Sequence, residues 1–252
     1  AFFRRQRQMC IRDRANIAVL GLGNWGSAIA RLWLLEGHKV TGWTIEQEVY
    51  ESITMSDVND KYLPHHSLPG LDATMHLEEA IEGSEIVVLA LPSSVILDVV
   101  EDVIPHLQSG HVLLDLAKGL APGKRLISEA IHTRLKEEGK TNPLAVLTGP
   151  TIAPEAAGGV MTTALVASED QAIAQRLAQT LSTPSFILHP ASDPVGAELW
   201  GAFKNVVALA CGLVDGLKQV GDLGGDNLKA AIFMSGFKAV SYTHLTLPTK
   251  EG

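Results

Sequence analysis

The chain has 252 residues, 46% hydrophobic and 19% charged, which excludes a disordered chain and allows one large domain or two small ones. Its 20 basic and 28 acidic residues give a net charge of −8, and no long Lys/Arg run speaks for nucleic acid or an anionic membrane as partner. No apolar run reaches the ~18 residues of a membrane span, and two cysteines, Cys10 and Cys211, make neither a disulfide framework nor a zinc site, so a reducing, cytoplasmic setting is expected.

The first residues, AFFRRQRQMCIRDR, carry five arginines against one acid and show no helical or strand period. No apolar stretch follows them, so they do not read as a secretory signal. Asn16–Leu20 is a short apolar run that stops at glycine, the pattern of a buried parallel strand. GLGNWG follows, and apolar Ala28, Ile29, Leu32 and Leu35 then predict a helix over 27–36, stopped by Gly37. Lys39–Trp43 is the next strand, which completes one βαβ unit. Further strands are predicted at 85–91, 111–116, 144–147, 162–167 and 186–188, with helices at 77–81, 95–107, 126–138 and 170–181. Strands alternating with helices predict an α/β fold with a doubly wound parallel sheet. After Asp193 the strand signal ends, and 195–217 and 227–239 read as helices. The chain thus divides into a dinucleotide-binding α/β domain over 15–192 and the start of an all-helical domain over 193–239.

Gly21, Gly23 and Gly26 fit G-x-G-x-x-G between a strand and a helix. The first glycine permits the tight turn, the second lets a diphosphate approach the backbone, and the third lets helix and strand pack closely. The helix N-terminus offers free N–H groups and a positive dipole to phosphates. At the end of the second strand, Trp43-Thr44-Ile45-Glu46 offers an acid for ribose hydroxyls and no Arg or Lys for a 2′-phosphate, which favours NAD. Lys118 ends a buried strand in DLAKGL, and Lys204 lies in the apolar stretch LWGAFKNVVALACGLVDG. A lone lysine in such company usually snorkels to solvent. Two of them, each beside a glycine- or asparagine-bearing turn, point to lysines whose pKa is lowered for acid–base work. GPTIAPE, from Gly149 to Glu155, follows a strand end, where open α/β sheets bind ligands. Cys211 reads as a core residue, His65 and His66 read as loop residues, and no ligand spacing predicts a metal site.

GLGNWGSAIA, LDLAKGL, LTGPTIAPEAAGG and FKNVVALACGLVDG, in this order and spacing, resemble the NAD(P)-dependent glycerol-3-phosphate dehydrogenase family over residues 15–239. The resemblance implies a Rossmann domain followed by an all-helical domain, usually as a homodimer. It implies reduction of dihydroxyacetone phosphate to sn-glycerol 3-phosphate for glycerophospholipid synthesis. Cofactor contacts are implied for Gly21, Gly23, Asn24, Trp25, Gly26, Lys118 and Ala153, with Ile45 on the adenosine side. Substrate contacts are implied for Lys118, Gly149, Thr151 and Lys204, with Lys204 as catalytic acid/base. NAD is the implied cofactor, with NADP as the alternative. Two other readings stay open. One is a reductase of the β-hydroxyacid or 6-phosphogluconate dehydrogenase type, which places K-x-x-N where this chain has K-N-V. The other is a non-catalytic nucleotide-binding protein, which leaves Lys204 beside Asn205 unexplained.

The sequence departs from the family toward its ends. The family's Asp and S/G-R-N motif, which grip the substrate phosphate, have no counterpart here. Residues 216–226 are longer than the usual turn, and Met234-Ser235-Gly236 stands where the family has T-R-G. RRQRQMCIRDR and VSYTHLTLPTK resemble translated sequencing adapters that flank genes assembled from short reads, so 1–14 and 240–252 are read as artefact. The chain is expected to bind nucleotide weakly and to be weakly active or inactive, and its parent to be an active enzyme.

Overall fold

The computed structural model describes residues 14–221 and 224–246; segments 1–13 and 247–252, with Cys10, lie outside the described residues. β1 (Asn16–Leu20) shows why the sheet forms. Ile17 and Val19 enter the core on one face, and Ala18 and Leu20 enter it on the other. A strand covered on both faces must be apolar throughout, so its sequence shows no polar alternation. Then come α1 (Asn24–Leu35), β2 (Lys39–Trp43), α2 (Gln47–Ser56), β3 (Asp72–Thr74), α3 (Leu77–Ile81), β4 (Ile86–Leu89), α4 (Ile96–Val103) and β5 (Val112–Asp115). A hairpin of β6 (Leu120–Ala121) and β7 (Arg125–Leu126) leads into α5 (Ile127–Glu137). β8 (Leu144–Thr148), α6 (Ala153–Ala157), β9 (Thr162–Ala167), α7 (Gln171–Leu181) and β10 (Phe186–Ala191) complete the α/β part. The sequence reading had no counterpart for α2, β3, the hairpin or α6, which are too short or too polar to display a period.

The eight strands run β10-β9-β8-β5-β4-β1-β2-β3. Every pairing is parallel except β8 with β9, so the sheet is mostly, not wholly, parallel. Between β8 and β9 the only helix is the five-residue α6, and β9 returns beside its predecessor. The chain lays β2 and β3 to one side of β1, then places β4 on the other. That reversal opens a crevice beyond the carboxyl ends of β1 and β4, the usual ligand position in such sheets. One face is covered by α1 and α7, tied where Trp33 Nε1 donates to the Leu181 carbonyl at 3.0 Å. The other is covered by α4 and α5, whose Ile96, Val100, Ile127 and Ile131 are buried against β1, β4 and β5.

After β10 the chain becomes helical. Asp193 starts α8 (Pro194–Gly221) by accepting the Gly196 N–H at 2.8 Å, with proline in the first helical position where no N–H is needed. Residues Gly196–Leu199 and Gly201 are buried against the α/β part, whereas Val206, Leu209 and Leu213 are exposed. α9 (Asp226–Thr246) packs along α8, with the Trp200 and Phe237 ring centroids 5.1 Å apart and tilted by 38°, and Lys229 paired with Asp215 at 2.5 Å. Cys211 is half-buried beside α9, not a core residue as expected, because it lies on the part of α8 that leaves the sheet. α8 is also long and apolar enough, by length and composition, to cross a membrane, at a mean hydropathy of 1.3. The sequence reading missed this because Glu198, Lys204, Asp215 and Lys218 interrupt the apolar run.

Candidate active site

The glycine turn joins β1 to α1 at the crevice. Gly21 has φ of +103°, and a Cβ there would sit 2.5 Å from the Ala90 carbonyl oxygen at the end of β4. A Cβ on Gly26 would sit 1.8 Å from the Gly21 carbonyl oxygen. Gly23, by contrast, faces open space and is the N-cap of α1, with no side chain accepting from the first N–H groups. Free helix amides beside an open glycine form a cradle that fits a diphosphate. Asn24 is exposed on this cradle and Trp25 is half-buried in it. The turn is braced from below by Asn59, which is fully buried. Its Nδ2 donates to the Leu22 carbonyl at 2.8 Å and the Ser27 hydroxyl at 2.9 Å, and its Oδ1 accepts from the Tyr62 N–H at 3.1 Å. A single loop asparagine carries no sequence signal, and the reading passed over it.

Through Asn59, the segment bearing Lys61 and Tyr62 is held against the end of β2. Glu46 accepts from Lys61 Nζ at 2.5 Å and from the Tyr62 hydroxyl at 2.8 Å, and Lys61 also pairs with Glu48. The Lys61 bond first, then the Tyr62 bond, holds the Glu46 carboxyl below its usual range. The sequence expectation that no Lys or Arg waits at this corner is corrected: Lys61 arrives from fifteen residues downstream. Ile45 lies exposed on the rim, apart from the other expected residues.

A second group gathers beyond β5 and β8. Lys118 follows β5, and its ammonium lies 5.6 Å from the Trp25 ring centroid. Such a cation–π contact is worth about 0.5–1 kcal/mol at an open site and links Lys118 to the glycine turn. The Lys118 side chain is open to solvent on one side, yet enough protein surrounds it for desolvation to lower its pKa. Gly149 follows β8, packed so closely on β9 that a Cβ would meet Ala164 at 2.9 Å. Its carbonyl accepts from the Thr151 N–H at 3.0 Å and from Lys204 Nζ. Lys204 is half-buried on α8. Burial first, and the charge of Lys118 second, push its pKa down to about 8. Ala153 opens α6, which packs on α1 and so returns toward the glycine turn.

Ile45 excepted, the expected residues therefore form one connected wall. Gly21–Gly26 reach Lys118 through Trp25, the charge of Lys118 acts on Lys204, and Lys204, Gly149 and Thr151 share one carbonyl. Two buried acids escaped the sequence reading. Asp115, at the end of β5, is fully buried; its Oδ1 accepts from the Ala117 N–H at 2.8 Å and its Oδ2 has no partner. Burial, and then the charge of Glu198, push its pKa up to about 8, so it is mainly neutral at pH 7. Glu198 on α8 is 2% exposed and bonds to the start of α5. A separate cavity of about 590 Å³ beside Trp43 and His76 is lined by Glu78, Glu79, Glu101 and Asp102 and contains none of the site residues.

The N-terminal domain description of NAD-dependent glycerol-3-phosphate dehydrogenase matches residues 16–174, and the C-terminal description matches 193–247. The chain is 38% identical to the glycerol-3-phosphate dehydrogenase [NAD(P)+] of Syntrophotalea carbinolica over 238 residues, covering 94% of this chain and 70% of that one. It is 38% identical to that of Rhodospirillum rubrum over 227 residues, covering 90% and 63%. Among solved structures, glycerol-3-phosphate dehydrogenase from Coxiella burnetii superposes with a TM-score of 0.80 at 31% identity, over 90% of this chain and 68% of the other. The chain thus spans roughly two thirds of the length of the curated relatives it matches.

Proposed function

Because the chain belongs to the NAD-dependent glycerol-3-phosphate dehydrogenase family, we propose that the whole protein interconverts dihydroxyacetone phosphate and sn-glycerol 3-phosphate with a nicotinamide dinucleotide. The observation that carries the reading is Lys204, half-buried, bonded to the Gly149 carbonyl and lowered to about 8 beside Lys118. A non-catalytic nucleotide binder has no need of such a lysine. The bound dinucleotide supplies or takes up hydride at its nicotinamide. Gly21, Gly23, Asn24, Trp25 and Gly26 hold its diphosphate at the N-terminus of α1, which the open space at Gly23 permits. Ile45 and Glu46 border its adenosine ribose, and the Glu46 carboxylate favours NAD over NADP. Ala153 and Lys118 complete the cofactor wall.

Substrate is held by Lys118, Gly149, Thr151 and Lys204. As the ketone carbon becomes an alcohol, negative charge grows on its oxygen. Lys204, mostly protonated at neutral pH, gives that oxygen a proton and takes one back in the reverse direction. Lys118 supplies fixed positive charge beside it, the kind of preorganised field that contributes most in carbonyl chemistry. The protein works as a cytoplasmic homodimer that supplies glycerophospholipid synthesis. The test is NADH oxidation with dihydroxyacetone phosphate in the parent and in Lys204→Ala. Loss of about 10²–10⁴-fold with retained NADH binding is expected. Unchanged turnover in Lys204→Ala would sink the assignment.

A further inference from the structure

α8 meets the α/β part along one slanting stripe of residues spaced three apart, Glu198, Gly201 and Lys204. Positions three apart are neighbours on a helix surface. Lys204 holds the Gly149 carbonyl, and Gly201 lies where a Cβ would be 2.7 Å from the Thr148 hydroxyl. Glu198 makes the third contact. Its Oε1 accepts from the Ile127 N–H at 2.5 Å and the Ser128 N–H at 3.3 Å, and its Oε2 accepts from the Ser128 N–H at 3.3 Å and from the Ser128 hydroxyl.

These are the first amides of α5, whose own N-cap, Leu126, has no side-chain acceptor. A helix start needs its free N–H groups satisfied and favours negative charge. α5 therefore lacks a cap of its own and receives one from seventy-one residues away in sequence. The capped end also terminates the β6–β7 hairpin that follows Lys118. One buried carboxylate thus touches the element leading from Lys118 and stands six residues before Lys204 on its own helix.

We propose that Glu198 is a positioning residue: by capping α5 from α8, it sets the seat of Lys204 against Gly149 and Lys118. This rests on the reading of Lys204 as acid/base, but its test does not require turnover. Without the cap, two amides of α5 lose their acceptor, α8 lifts, and water reaches Lys204. Its pKa then returns toward the ordinary lysine value of 10.5. A misplacement of about 1 Å costs about 10²-fold in rate.

The experiment is a pH titration of ¹³C-dimethylated lysines by NMR in the 252-residue chain. The Lys204 signal is assigned by its loss in Lys204→Arg, and NADH binding is measured in parallel. A Lys204 midpoint near 8 in the parent, raised in Glu198→Ala and held near the parent value in Glu198→Gln, supports the proposal. Gln still offers a carbonyl to Ile127 and an amide to the Ser128 hydroxyl. An unmoved midpoint in Glu198→Ala overturns it and leaves Glu198 as a stability residue only. An equal rise in Glu198→Gln also overturns it, because the midpoint would then move although an acceptor for the Ile127 N–H is still present; loss of the negative charge alone would lower a lysine pKa. If Glu198→Ala does not fold, Ser128→Ala, which removes one bond to Oε2, must raise the midpoint by a smaller amount; no rise overturns the proposal. A midpoint that responds in this chain while the whole protein fails to reduce dihydroxyacetone phosphate would defeat the proposed function and leave this inference standing.

Discussion

Alanine at Gly26 and alanine at Gly23 should fail in different ways. At Gly26 the new Cβ lies 1.8 Å from the Gly21 carbonyl oxygen, a backbone atom that cannot swing aside. Reaching the 3.0 Å floor of real Cβ contacts takes a displacement of about 1.2 Å between α1 and the turn. Overpacking of this kind costs about 1–3 kcal/mol, or roughly 2–12 °C of melting temperature for a chain of this size. It also moves the amides that would face the diphosphate. At Gly23 the φ is −71° and no atom lies within 4 Å, so alanine costs the fold less than about 1 kcal/mol, as a poorer N-cap. The Cβ does, however, fill the open space the diphosphate needs. Thermal melts and NADH fluorescence titrations separate the two. Gly26→Ala should lower both melting temperature and affinity, whereas Gly23→Ala should weaken NADH binding with little change in melting. Parental melting in Gly26→Ala, or parental affinity in Gly23→Ala, would refute the geometric account of the turn.

Ketone reduction needs protonated Lys204, so its rate should fall as pH rises through about 8, while alcohol oxidation rises over the same range; a flat profile there would remove Lys204 from proton transfer. Asp115 keeps its proton in the folded state up to about pH 8, but the unfolded chain loses it near 3.8. The folded state therefore binds more protons between those values, and stability falls as pH rises through that window. Asp115→Asn keeps an oxygen for the Ala117 N–H and cannot ionise, so its denaturant midpoint should exceed the parent's at pH 8; equal pH slopes would count against a buried neutral Asp115. Glu46→Gln should raise the affinity for NADPH relative to NADH, and Lys61→Ala should lower it below the parent's by leaving Glu46 and Glu48 without their cation. Identical NADH/NADPH ratios in all three proteins would show that this corner does not read the 2′-position.

Much of the α/β framework was legible because its central strands are buried on both faces. Runs such as Asn16–Leu20 and Ile86–Leu89 must then be apolar, and a run of that kind is visible without a partner. The glycine turn was legible because a backbone constraint is written in residue type: at Gly21 and Gly26 no side chain fits. Lys118 and Lys204 stood out because charge in apolar company is unusual. The antiparallel placement of β9 was not legible, since strand direction depends on where the connection packs, and the strand's own composition is the same either way.

What the sequence determined by itself is local: which segments become strands and helices, where glycine is obligatory, and which lysines sit among apolar neighbours. The tertiary structure alone decided the partnerships across long separations. Lys61 reaches Glu46, Asn59 reaches the glycine turn, Glu198 reaches the start of α5, and Lys204 reaches Gly149 across fifty-five residues. Hydrogen bonds and desolvation depend on atoms a few ångströms apart, and sequence distance says nothing about those separations until the sheet has closed. The pKa of Lys204 therefore belongs to the fold and not to the residue.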